Sequence, residues 1–129
     1  MIRPVSSIPI DIVQPMTIIM VTMPQGKRFL LVYAPIVKQH VKAIDRKYHA
    51  LIKETIETQL EAEPDVETRN RKPLKRPVTF GAKWEIRFGP HNRFRVFYKV
   101  NYDDEQVEIL AVGEKEGSQL LIGGEEVAL

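Results

Sequence analysis

Between residues 84 and 98 the chain reads WEIRFGPHNRFRVFY, with apolar side chains at every second position. Trp84, Ile86 and Phe88 alternate with Glu85 and Arg87. Beyond Gly89-Pro90-His91-Asn92, the residues Phe94, Val96, Tyr98 and Val100 alternate with Arg95, Phe97 and Lys99. Successive side chains of a strand point to opposite faces, and Gly, Pro and Asn suit a chain reversal. The pattern therefore predicts a β-hairpin with Trp84 and Tyr98 turned toward a core. Glu85, Arg87, Arg95, Phe97 and Lys99 then share an outward surface, where Phe97 either stacks on a nucleobase or is covered by the C-terminal tail or a partner segment.

Elsewhere the period changes. RFLLVY (28–33) is a short apolar strand stopped by Ala34-Pro35. Val37, Val41 and Ile44, then Tyr48, Leu51, Ile52, Ile56 and Leu60, recur at spacings of three and four, which is helical. Asp45 suits a cap, which predicts an αα-hairpin of 35–44 and 46–62; one bent helix is the alternative. Prolines and charge make 67–77 a loop, and QVEILAV (106–112) is a third strand. The tail from Gly113 carries turn glycines and short apolar pieces, and is expected against the sheet edge. Residues 1–15 are Pro-rich and irregular, while MTIIMVT (16–22) is β-branched enough for a strand or a buried arm. The order β-αα-βββ predicts an α+β domain with helices on one sheet face and the arginines on the other.

Composition adds limits. A chain of 129 residues forms one domain by size, and without cysteine it has neither disulfides nor thiolate metal sites. The longest apolar run, Ile18–Val21, is too short to span a bilayer, and early prolines with Asp11 interrupt any signal-peptide core. A cytoplasmic protein without membrane contact is expected. His40 and His49 fall on the helices without metal-ligand spacing, so no metal is expected. Gly123-Gly124, lacking a following Lys-Ser/Thr, is a turn.

Charge changes the picture more. From Arg69 to Lys99 the only acid is Glu85, set among ten basic residues, a local +9 in a chain of net +2. Arg69, Arg71, Lys72, Lys75, Arg76, Lys83, Arg93 and Lys99, together with the arginine face, form the footprint expected of a protein that docks on phosphates.

The ordered set ETRNRKPL, WEIRFG, FRVFY and VEILAVGEKEGSQLLIGGEEV, placed after a helical pair, resembles the RelE/ParE superfamily of toxins from bacterial type II toxin-antitoxin modules. The resemblance covers residues 28–129 and leaves 1–27 as an N-terminal extension. It implies a RelE-like fold, a helical hairpin on one face of a small, mostly antiparallel sheet. It also implies a cognate antitoxin that wraps the toxin, with self-association open. Many members cut mRNA in the ribosomal A site without any cofactor, whereas the ParE branch poisons DNA gyrase.

Metal-free RNA cleavage needs two proton transfers and stabilisation of charge gathering on the phosphoryl oxygens, a task suited to arginine's paired N–H donors. By resemblance, Arg95 matches the arginine of the yRv.Y strand, Arg87 a basic position on the preceding strand, and Lys115 the basic residue after the last strand's vG. Glu85 stands where many relatives carry a second basic residue; it is either a general base or one member of a surface ion pair. SQLLIGG stands where many relatives place a terminal Tyr or His. His91, in the hairpin loop, is a candidate proton shuttle or simply a polar turn residue. Two functions stay open: a ribosome-dependent endoribonuclease, and a non-catalytic module that binds gyrase or is merely antitoxin-paired. Arg95→Ala separates losing a transition-state contact from losing a docking contact.

Overall fold

The structure, a computed structural model, describes residues 28–128. The strand or arm expected over 16–22 lies outside them. The strand β1 (Leu30–Tyr33) leads into α1 (Val37–Lys42), and a 3-10 turn at Arg46–Tyr48 opens α2 (His49–Leu60). Asp45 decides for two helices over one. Its backbone (φ −51°, ψ 132°) leaves the helical path, and its carboxylate accepts the Lys47 N–H at 3.0 Å.

The hairpin forms as β3 (Trp84–Phe88) and β4 (Phe94–Asn101), followed by the long β5 (Gln106–Glu116). Three short strands add to it: β2 (Arg71–Pro73), β6 (Gln119–Ile122) and β7 (Glu125–Glu126). The seven strands make one sheet in the order β2-β3-β4-β5-β6-β7, antiparallel except where β1 joins β5 in parallel. β2 lies inside the segment expected to be loop. Three residues ending in proline carry no periodicity, and a proline is tolerated there because β2 is an edge strand. The tail pairs along β5 as β6, in line with its expected place at the sheet edge.

The outer edge of β5 is shared by two partners. β1 pairs with Gln106–Ile109 and β6 with Gly113–Glu116. In the gap between them, the Val112 N–H donates to His40 Nδ1 at 3.2 Å, so a helix side chain completes the ladder. His40, expected only to lie on a helix, is thus a buried structural group. Accepting that bond requires an unprotonated Nδ1, and burial lowers the imidazole pKa below its ordinary 6.5.

One core lies between helices and sheet, where Val37, Ile44, Ile52, Ile56 and Leu60 meet Ile86, Phe94, Val96 and Tyr98. Tyr98 donates its hydroxyl to the Pro64 carbonyl at 2.6 Å, which anchors the chain leaving α2. Burial pushes its phenol pKa well above the ordinary value. The alternation places Trp84 and Tyr98 as expected, with their rings stacked.

The opposite face is not outward at Phe97, where the C-terminal tail supplies part of the cover, one of the expected alternatives, and the loop 74–82 supplies the rest. Phe97, Ala82 and Ala111 are buried there with Leu74, Val78, Phe80, Leu120 and Ile122 packed around them, and the Phe80 ring meets Phe97 edge-on at 5.4 Å. Phe97 therefore neither stacks on a base nor waits for a partner. The loop 74–82 and β6 of its own chain enclose it. A register shift between Phe97 and Tyr98 pairs Phe97 with Ala111 but Tyr98 with Ile109. The extra residue, Leu110, lets Ile109 and Val112 both face the helices despite their odd separation.

Below pH 6.5 the His40 imidazole of the unfolded chain takes up a proton that the folded protein does not, so stability falls with acidification until the lower folded pKa is passed. His40→Asn keeps an acceptor near the Nδ1 position but does not titrate. The expected outcome is a shallower loss of Tm on acidification from neutral pH in the variant than in the wild type, measured by differential scanning calorimetry.

Candidate nucleic-acid interface

Register brings the expected arginines together. Arg87 stands directly opposite Arg95, and Arg95 opposite Gly113 of β5. Two like charges facing each other across a ladder repel. Glu85 resolves this: Oε1 accepts from Arg87 Nε at 3.1 Å and Oε2 from Arg95 Nη1 at 3.3 Å. Glu85 and Arg95 are only 6% and 9% exposed, while the Arg87 side chain is 46% exposed. The expected outward surface is thus a buried Glu85–Arg95 pair from which Arg87 reaches toward solvent. Together the three groups carry +1. Arg95 Nε is buried without a hydrogen-bond partner, as is Arg71 Nε. At Gly113 a Cβ would lie 3.0 Å from the Leu121 carbonyl oxygen, so the strands beside Arg95 close up only around glycine.

A second group assembles at the hairpin loop. Gly89 has φ +83°, and a Cβ there would lie 2.6 Å from the Phe94 ring. His91 and Asn92 both adopt left-handed backbone, φ 55° and 53°, a strained pair for non-glycine residues. The β4–β5 ladder carries on one step into the loop, where the Lys115 N–H donates to the Arg93 carbonyl at 2.7 Å. Pro90, His91, Arg93, Lys115, Glu116 and Gly117 line a cavity of about 410 Å³. Lys115 lies two residues beyond Gly113, and strand alternation places it on the same sheet face as Arg95.

Arg93 turns toward the helices instead. It pairs with Glu114, its guanidinium lies over the Tyr48 ring at 5.3 Å, and the Glu114 hydrogen bond raises its pKa. Nothing in the pattern of residues 106–116 marks Glu114 for this role, because its partner is 21 residues away.

The remaining basic residues divide. Arg71 is 3% exposed and donates to Gln59 Oε1 at 2.6 Å and to the Val66 carbonyl at 3.0 Å. It ties the loop to the end of α2, which corrects the expectation that it contacts nucleic acid. Within a basic run, nothing distinguishes an inward arginine from its exposed neighbours. Lys72 pairs with Glu67 and Lys99 with Glu108, the latter toward the far end of β4 from the hairpin loop. Arg69, Lys75, Arg76 and Lys83 are exposed. Among the described residues no cluster of three or more His, Asp or Glu is placed to hold a metal ion, and no helix is long and apolar enough to cross a membrane.

Removing one partner of a buried ion pair strands the other charge. Glu85→Ala should therefore cost about 3–5 kcal/mol of unfolding free energy, read from urea midpoints. The double change Glu85→Leu with Arg95→Met should cost clearly less, since no unpaired charge is left behind.

The model of the ParE toxin of the type II toxin-antitoxin system parDE matches residues 31–117, the segment containing β1, the helical pair and β2 to β5. No curated protein matched the chain. Among solved structures, the toxin-antitoxin complex RelBE2 from Mycobacterium tuberculosis is similar in fold, with a TM-score of 0.58 at 20% sequence identity, covering 70% of this chain and 95% of that one. With a helical pair on a mostly antiparallel sheet and a family match across most of the described residues, the chain belongs to the ParE toxin family of type II toxin-antitoxin systems.

Proposed function

We propose that this toxin stops translation by cutting mRNA at the ribosome without a metal, with Arg87 gripping the scissile phosphate and Arg95 adding its charge from behind. The observation that supports this reading is the cross-strand pairing of the two arginines, which aims two guanidiniums at one place. Such donors stabilise charge that develops on phosphoryl oxygens during attack by the neighbouring 2′-OH. Arg87 is the exposed arm that meets the phosphate first, and the largely buried Arg95 adds positive charge behind it. Lys115 and His91, in the adjoining cavity, face the same strand path, where Lys115 binds phosphate and His91 moves a proton. Glu85, with both oxygens engaged by guanidiniums, acts as a positioning residue that orients the pair. The exposed Arg69, Lys75, Arg76 and Lys83 extend the basic track along which the nucleic acid docks.

A second reading is a gyrase-directed inhibitor without nuclease activity. The commitment of Glu85 to two ion pairs, which weakens it as a general base, favours that reading, as does the match to the ParE model. Both readings include an antitoxin that neutralises the toxin.

Primer extension on a reporter mRNA in a bacterial translation extract tests the choice. Wild type should produce cuts on translated message only. Arg87→Ala, at an exposed position that folding tolerates, and Arg95→Ala should each lower cutting by about a hundredfold or more. Cutting that persists unchanged in both variants overturns the assigned site. Growth arrest without cuts, combined with loss of gyrase supercoiling activity, selects the second reading.

A further inference from the structure

The strand order leaves β1, β2 and β7 as outer strands, and β2 and β7 are closed to further pairing. On β2 the outward positions are Arg71, whose N–H already donates to the Thr68 carbonyl, and Pro73, which has no N–H. β7 is a pair of glutamates. β1 differs from both. Leu30 and Ala34 donate their N–H groups to the Glu105 and Ile109 carbonyls at 2.9 and 2.8 Å, so alternation turns the N–H and C=O of Leu31 and Tyr33 away from β5. Among the described residues nothing bonds to those outward groups.

Side chains favour pairing at the same edge. Residues 29–37, FLLVYAPIV, carry no charge. Leu30, Val32, Tyr33 and Ile36 account for four of the seven exposed large apolar side chains among the described residues. An uncharged open edge flanked by exposed apolar groups is a template for strand addition.

The edge fits a second copy of itself. The Phe29 N–H is taken by the Glu61 carbonyl and Pro35 has no N–H, which bounds the usable edge to Leu31 and Tyr33. The antiparallel register that uses both sets Leu31 against Tyr33 of the other copy, and Tyr33 against its Leu31, so that each pair exchanges both backbone bonds about a two-fold axis at Val32. The axis stands normal to the sheet. Leu30 and Val32 pair in register with Gln106 and Glu108, on the face away from the helices, so the same apolar side chains of both copies meet there.

We propose that β1 pairs with β1 of a second copy, antiparallel about Val32, and joins two sheets into one through a symmetric interface. β1 lies against the Gln106–Ile109 end of β5, whereas Arg95 pairs with Gly113 and Lys115 lies beyond it, so pairing leaves the arginine site of each copy open. The inference holds whichever activity that site performs.

Light scattering on the full-length protein over a concentration series reads the association. Wild type should pass from monomer to dimer as concentration rises. Val32 is 37% exposed, so the fold tolerates a polar replacement there. Val32→Lys and Val32→Glu each set like charges together at the axis and should weaken dimerisation about tenfold or more, and mixing the two variants should restore it. If either charge impairs folding, Val32→Cys takes its place. The chain has no cysteine of its own, and mild oxidation should link two Val32→Cys copies about tenfold faster than two Asp103→Cys copies, altered in the exposed turn before β5. A wild type that stays monomeric throughout the series, or a dimer indifferent to charge at Val32, overturns the proposal. So do charge variants that fail to recover on mixing, and equal rates of oxidation in the two cysteine variants.

Discussion

The strand β4 is buried on both faces, and much of the molecule answers to that constraint. Phe94 through Tyr98 are all buried, with alternate residues facing the helices and the loop 74–82. An arginine buried in such a strand cannot keep its water. Arg95 therefore needs a carboxylate within reach, and Glu85 on the neighbouring strand supplies it. Phe97, on the same face, needs apolar cover, and Phe80, Ala82 and Ala111 supply that. The charged trio and the second small core are two solutions to the same problem on one sheet face.

Stability alone does not account for the trio. Replacing a buried ion pair by apolar residues of similar volume is often neutral or favourable, so the buried Glu85–Arg95 pair is weak evidence for stability, and what it does hold in place is the half-exposed Arg87. The left-handed residues His91 and Asn92 are likewise held in place, because such backbone persists where surrounding contacts over-determine it. Here those contacts are the Arg93–Glu114 pair, the Tyr48 ring and the bond from Lys115 to the loop. Loop, arginine pair and Lys115 thus gather toward one end of the sheet, while the helical hairpin buttresses the other face.

How much of this was legible in the sequence follows from the range of each interaction. Period-two alternation around Trp84 and Tyr98 and the three-and-four spacing from Val37 to Leu60 are local signals, and both elements form where those signals place them. Asp45, whose cap bond spans two residues, was readable for the same reason. Arg87 and Arg95 could be placed on one face because a hairpin's register is set by its own short loop. The short strands β2, β6 and β7 escaped notice because two to four residues carry too little periodicity.

The sequence by itself determined the helical hairpin, the β3–β4 hairpin with its apolar face, and the concentration of positive charge between residues 69 and 99. Tertiary structure alone decided which of those charges are available. Arg71 is turned in to Gln59, Arg93 to Tyr48 and Glu114, and Arg95 to Glu85, while Arg87 is left reaching outward. The same holds for His40, whose role exists only because β1 and β6 leave a gap along β5. The physical reason is common to all of them. A side chain's type sets what it can bond, but whether it is desolvated, and against which partner, depends on residues brought near it by the packing of sheet, loop and helices.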